Sequence, residues 1–219
     1  MPLVYDKEVR LYWTLCGSDN NNAFLIVCPQ TGESIIIDAP LGPGQILEAA
    51  KGTQVKAILI THQHRDHWEG LEEIVAATGA PVAAHRADAA ALPVAPSLLV
   101  ENGDTIRAGT IEVKVLHTPG HTPGSVCYLA GRHLFSGDTL FAGGVGHTPT
   151  VEELLLMYQG ITEKLYVLPD DTFLLPGHGK GSILGVEKAQ YRALTAQYPD
   201  VLPPIPDPPP PHLPGQGTS

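Results

Sequence analysis

The sequence predicts an α/β protein in which two β-sheets pack together and are covered outside by helices. Three observations carry this reading. Short segments rich in β-branched and aromatic residues recur along the chain, separated by Gly, Asn and Pro turn formers. Helical periodicity is confined to a few stretches. Strands precede helices in each half, and the halves look roughly alike, as expected of packed sheets with helices outside. The 219 residues, 43% hydrophobic and 16% charged, match an ordinary folded protein with one core. A single domain is expected over residues 1–202.

The elements follow in order. Residues 9–14, 23–28 and 34–38 read as strands, with turns at Gly17-Ser18-Asp19-Asn20 and Thr31-Gly32. Residues 44–50 read as a helix with Pro43 near its start. Residues 55–61 form a short apolar run, the pattern of a strand buried on both faces. A helix is expected over 68–78, where Leu71, Ile74 and Val75 recur at helical spacing. Residues 81–84 read as a strand, and the Ala-rich 88–92 as helical. Strands are expected at 98–101, 105–108, 111–116, 125–130 and 133–136, with a hairpin signal at Asn102-Gly103-Asp104. A helix over 151–165, a strand at 172–175 and a helix over 184–197 complete the domain. The segment 203–219 is Pro-rich and cannot join a helix or central strand, because proline lacks the amide donor. It is expected to be a tail.

A net charge of −10 disfavours a general nucleic-acid-binding role, since such a surface repels phosphate. Cys16, Cys28 and Cys127 are far apart, which argues against a disulfide framework or a thiolate metal site. No basic segment followed by an apolar stretch opens the chain, and no apolar run reaches the length of a membrane span. The expectation is a cytoplasmic protein with a small-molecule substrate and no nucleic-acid or membrane partner. The oligomeric state is left open.

The chemistry concentrates in Thr61-His62-Gln63-His64-Arg65-Asp66-His67, directly after the buried strand. Three imidazoles and a carboxylate within six residues suit a divalent metal of the Zn, Fe, Mn or Ni group. His62 and His64 are spaced to reach one ion from a bent strand end. Asp66 and His67 stand where the next helix begins and can reach a second. One cluster is too small for two ions. His121, in Thr118-Pro119-Gly120-His121-Thr122-Pro123-Gly124, lies past a strand. So do Asp138, in Ser136-Gly137-Asp138-Thr139, and His178, in Pro176-Gly177-His178-Gly179. Each stands beside glycine, which lets backbone approach closely. Thr61 and Ser136 are candidate donors to the ligands.

The segments THQHRDH, TPGHTPGS, LFSGDTLFAGG and LPGHGKGSILGVEK, spanning about residues 59–188, resemble the metallo-β-lactamase superfamily, and within it the short glyoxalase-II-like hydrolases. The resemblance implies an αββα sandwich of two mixed sheets with a metal site at one edge. It implies two divalent ions, zinc first with iron or manganese as alternatives. One would be held by His62, His64 and His121, the other by Asp66, His67 and His178, with Asp138 bridging. A metal-bridging hydroxide would cleave a thioester or related ester, with Asp66 the residue nearest to a general base. His147, Trp68, Lys180 and Tyr158 are candidate substrate contacts. The sequence departs from the family at Gly146-His147-Thr148-Pro149, where such relatives commonly read Gly-Arg-Ser/Thr-Asp, and few residues follow His178, so the helical domain with which long glyoxalases II grip glutathione is not expected. Two alternatives stay open: an iron-dependent persulfide dioxygenase using His62, His121 and Asp138 alone, and a lactonase, β-lactamase or phosphodiesterase on the same dinuclear core.

Overall fold

The computed structural model describes residues 3–6, as backbone, and 9–206. The first half builds a seven-stranded sheet whose spatial order is its chain order: β1 (Leu3–Asp6), β2 (Arg10–Cys16), β3 (Asn21–Val27), β4 (Glu33–Ile37), β5 (Gln54–Leu59), β6 (Val82–His85) and β7 (Leu98–Val100). β1 to β4 pair antiparallel, as short turns allow. β4 to β7 pair parallel, and helices α1 (Gly44–Ala50) and α2 (Leu71–Thr78) lie in the crossovers that parallel pairing requires.

The second half adds β8 (Thr105–Ala108), β9 (Ile111–His117), β10 (Val126–Ala130), β11 (His133–Gly137), a ribbon of β12 (Leu140–Phe141) and β13 (Gly144–Val145), α3 (Val151–Gly160), β14 (Phe173–Pro176), β15 (Ser182–Ile183) and α4 (Leu184–Thr195). Its six-stranded sheet runs β15-β14-β11-β10-β9-β8, with β11 and β14 parallel and the other pairs antiparallel. Both sheets are therefore mixed.

Side-chain parity produces the layering. In a strand, alternate residues face opposite sides. Phe24 and Ile26 of β3 enter the cluster between the sheets with Val113, Val115, Tyr128 and Phe135. Leu25 and Val27 point the other way, into a cluster with Ile46 of α1 and Ile74 of α2. On the far side, Met157 of α3, Leu184 and Tyr191 of α4 pack on Cys127, Leu134 and Leu174. The result is the expected helix–sheet–sheet–helix sandwich. Two hydrogen bonds join the sheets where β5 ends: Tyr128 Oη donates to Ile60 O at 3.0 Å, and Val126 N to Thr61 O at 2.9 Å. They fix the point from which the histidine cluster emerges.

Some elements differ from expectation. The helix expected over 151–165 is α-helical only to Gly160 and continues as a π turn over Ile161–Leu165. Its N-terminus is capped by Thr150, which accepts from Glu153 N. The helix expected at 88–92 is a single 3₁₀ turn, Ala89–Ala91, because the Asp88 carboxylate is drawn inward to bind two other loops. The helix expected from 68 starts at Leu71, since Arg65–His67 forms a 3₁₀ turn of its own. The first tail residues strap onto the domain: Tyr191 Oη donates to Pro203 O at 2.7 Å, and Ile205 packs with the cluster under α3 and α4. The rest of the expected tail, 207–219, lies outside the described residues. Among the described residues, no helix is long and apolar enough to cross a membrane.

Candidate metal centre

All seven residues singled out by the motifs meet at one end of the sandwich, on loops that leave β5, β9, β11 and β14. They form overlapping groups whose ligand-type atoms lie within 4.8 Å of one another: His62, His64 and His121; Asp66, His67 and His178; and His62, His67 and Asp138. In the first group, His64 Nδ1 lies 3.1 Å from His62 Nε2 and 2.9 Å from His121 Nε2. In the second, His178 Nε2 lies 3.2 Å from both His67 Nε2 and Asp66 Oδ2. Asp138 stands between the groups. Its Oδ1 is 3.4 Å from His67 Nε2, and its Oδ2 is 3.6 Å from both His121 Nε2 and His178 Nε2. Ligand atoms at about 2.0–2.1 Å around a tetrahedral ion would lie about 3.3 Å apart.

The inward nitrogens are fixed because the outward ones are engaged. His121 Nδ1 bonds to His147 O at 2.7 Å, His178 Nδ1 to Asp19 O at 3.2 Å, and His67 Nδ1 to Asp38 Oδ2 at 2.9 Å. His62 Nδ1 lies 3.1 Å from Thr61 Oγ1, whose proton goes to Asp38 Oδ2. A histidine that donates from one nitrogen presents a lone pair on the other, which is the arrangement metal sites use.

Four residues that supply this scaffold were not singled out from sequence. Asp38 follows β4 with φ 57°, a left-handed conformation that aspartate tolerates better than most residues. That turn aims its carboxylate at Thr61 N, Thr61 Oγ1 and His67 Nδ1. Asp88 joins the two histidine loops, accepting from Gln63 N, Thr122 Oγ1 and Gly124 N. Asn21 Nδ2 donates to Asp66 Oδ2 at 2.8 Å, and Asn22 Nδ2 holds Pro176 O and Gly179 O on either side of His178. An Asp ending the β-branched run Ile35-Ile36-Ile37 was the one visible signal.

Electrostatics agree with the geometry. Burial, then the charges of His67, His121, His64 and His178, hold His62 well below the usual imidazole range. Burial and His121 likewise lower His64. Burial pushes His67 down, but Asp38, through charge and hydrogen bond, with Asp138 and Asp66 behind it, prevails and lifts it to about 9. In the metal-free protein this His67–Asp38 pair therefore adds stability that is fully present below about pH 6.5 and is lost as pH rises through about 9. Thermal melts of chelated protein should show that decline, and a flat profile across this interval would contradict it.

Close packing leaves little slack. A Cβ on Gly177 would overlap Asp138 Oδ1 and lie 2.5 Å from His67 Cε1. Gly177→Ala should destabilise the protein by about 1–3 kcal/mol, as overpacking does. Gly44→Ala, where nothing lies within 4 Å of the added atom, should melt like the parent.

The remaining sequence candidates lie around this centre in different roles. His147 supplies its carbonyl to His121 while its side chain is exposed. Trp68 packs against the cluster under α1 and α2, with its indole Nε1 donating to Gln63 O. Lys180 is exposed. Tyr158 belongs to α3 and lines a separate cavity against α4. Thr61 contacts His62 as expected, whereas Ser136 braces the Asp138 turn by donating to Leu140 O.

The mixed αββα sandwich with seven convergent His and Asp side chains defines the class. The metallo-beta-lactamase superfamily profile matches residues 16–178, and the chain belongs to that superfamily. Within it, the chain is 40% identical over 176 residues to a protein of Polaromonas sp. (strain JS666) named hydroxyacylglutathione hydrolase. That match covers 78% of this chain and 66% of the relative, so the chain spans slightly under two thirds of its length. Among solved structures, the BLEG-1 B3 metallo-beta-lactamase superposes with a TM-score of 0.76 at 26% identity, covering 82% of this chain and 96% of that one. The di-iron-bound form of TTHA1623 superposes with a TM-score of 0.66 at 30% identity, covering 80% and 96%.

Proposed function

We propose that this chain is a dinuclear metal-dependent hydrolase acting on a thioester of the hydroxyacylglutathione type. The observation that carries the metal reading is Asp138 Oδ1. It is buried and has no hydrogen-bond partner, and it lies 3.4 Å from His67 Nε2, while Oδ2 of the same carboxylate lies 3.6 Å from both His121 Nε2 and His178 Nε2. A buried carboxylate oxygen without a donor is costly unless a cation satisfies it. Five imidazoles and two carboxylates are also the donor set of a borderline divalent ion such as zinc, iron or manganese.

In this reading His62, His64 and His121 would hold one ion, Asp66, His67 and His178 would hold the other, and Asp138 would serve both. Seven side chains shared between two ions would leave positions open for water and substrate, as catalysis needs. When bound, such a pair would polarise a carbonyl oxygen and lower the pKa of a water towards neutrality. The chain's own residues do the rest. Asp66 has a half-exposed carboxylate that faces the open cavity with Asp19, Arg65, Glu69 and His178. Burial opposes its ionisation, but His67 and the Asn21 amide hold it below the usual carboxylate range. Asp66 is therefore ionised at neutral pH, able to accept a hydrogen bond from the attacking water and orient it. Asn21 holds that carboxylate in place.

The thioester assignment is supported by the relatives near 40% identity that carry the name hydroxyacylglutathione hydrolase. The test is S-lactoylglutathione offered to metal-loaded protein, with free thiol followed by a disulfide reagent. Metal-dependent release with kcat/KM of about 10⁴ M⁻¹s⁻¹ or more is expected, within the usual enzymatic range. No thiol release, with turnover instead of a lactone, β-lactam or phosphodiester, would overturn the thioester assignment and leave the metal reading standing.

A further inference from the structure

A separate cavity lies away from the histidine cluster, between the β12–β13 ribbon, α3 and α4. Its volume is about 220 Å³, and its walls include Tyr158, Tyr166, Tyr191, Glu187, Gln190 and Gly143. Helix α4 builds one wall because Glu187, Gln190, Tyr191 and Leu194 follow at the i, i+3, i+4, i+7 spacing of a single helix face.

The charge of this cavity is unusual. Glu187 is 3% exposed. Its carboxylate accepts from Gly143 N at 2.8 Å and from Ser182 Oγ at 2.5 Å, two neutral donors. Among the described residues, no lysine, arginine or histidine lines the cavity. The neighbouring Lys188 reaches elsewhere, to Leu168 O and Asp170 Oδ1. Buried carboxylates are ordinarily paired with a cation, and this one lacks it.

Three tyrosines line the rest of the wall together with Leu140, Val145 and Leu194. The Tyr191 ring centre lies 5.3 Å from that of Tyr158 and 5.3 Å from that of Tyr166, with planes inclined at 33° and 55°. Tyr166 is 95% buried, at 5% exposure, and its hydroxyl has no hydrogen-bond partner among the described residues. It is not sealed in the core; it lines the cavity. Tyrosine faces attract cations through the ring quadrupole, and aromatic walls with a carboxylate are how proteins recognise alkylammonium groups.

We propose that this cavity binds a small organic ammonium ion, with its cationic head against Glu187 and the tyrosine rings and a polar substituent reaching Tyr166 Oη. The volume equals that of about seven water molecules in the liquid, which suits a ligand the size of choline and excludes a nucleotide or peptide. The site is independent of the hydrolase reading, since none of the seven clustered His and Asp residues lines it.

The test titrates ¹⁵N-labelled protein with choline chloride at constant ionic strength, and in parallel with 3,3-dimethylbutan-1-ol, its neutral isostere. Choline should shift the amides of Gly143 and Gly144 saturably, and the alcohol should bind at least about tenfold more weakly because the cation–π and carboxylate attractions are gone. Glu187→Gln should weaken choline at least tenfold to a similar degree. Should that variant misfold, Gln190→Lys decides: the position is exposed, and the new ammonium would occupy the cavity and abolish choline binding without lowering the melting temperature. Equal binding of the two probes, no saturable shift with choline, or choline binding unchanged in the Gln190→Lys protein would each overturn the proposal.

Discussion

Asp138→Ala should abolish turnover and strip the protein of metal while leaving its fold intact. Asp138 reaches imidazoles of both groups, 3.4 Å from His67 and 3.6 Å from His121 and His178. Its Oδ1 accepts no hydrogen bond among the described residues, so the loss of that atom strands no donor. It does leave facing imidazoles without the charge that joins two ions. The expected loss in kcat is about 10³-fold or more, the scale of removing a group on which charge stabilisation at the reacting centre depends. Metal content should fall in the same samples. A variant that melts like the parent, keeps its ions and turns over at more than a tenth of the parent rate would refute the role of Asp138.

Asp38→Ala should act in the opposite order, on stability first and on metal second. Asp38 is buried, at 2% exposure. It accepts from Thr61 N at 2.8 Å, Thr61 Oγ1 at 2.9 Å and His67 Nδ1 at 2.9 Å, all in the buried interior. The change strands three buried donors and, in the metal-free protein, removes the partner of a buried imidazolium. Breaking such a pair costs about 3–5 kcal/mol. At roughly 2–4 °C per kcal/mol for a domain of this size, the melting temperature should fall by about 6–20 °C. Because Asp38 also sets which nitrogen His67 turns inward, metal affinity should drop by about 10–100-fold. Asp38→Asn keeps one acceptor oxygen, so it should recover part of the melting temperature but not the affinity. Melting within 2 °C of the parent together with unchanged affinity in the alanine variant would show that Asp38 is not the support described.

The residues that converge at the candidate metal centre were legible because their chemistry is rare and locally dense. His62, His64, Asp66 and His67 crowd one loop, and His121, Asp138 and His178 each sit beside glycine just past a strand. The two-layer architecture was legible for a related reason, since period-two burial in β9, with Ile111, Val113 and Val115 in and Glu112 and Lys114 out, is written in residue type. The supports were not. Asp38, Asp88, Asn21 and Asn22 are single polar residues whose partners lie 23 to 157 positions away. Asp88 even sat inside an Ala-rich run that reads as helical, and tertiary hydrogen bonds overrode that propensity. The two-residue strands β12, β13 and β15 are too short to carry a periodic signal, yet β12 and β13 form the ribbon that separates the metal centre from the tyrosine cavity.

Quantifying bound metal per chain by inductively coupled plasma mass spectrometry, on protein purified without added metal or chelator and assayed for thiol release, bears most directly on the metal centre. Two transition-metal ions per chain, lost together with activity on chelation and restored together on reloading, are predicted. One iron per chain with oxygen consumption on a persulfide, or full thioester hydrolysis in protein from which every ion has been removed, would contradict it.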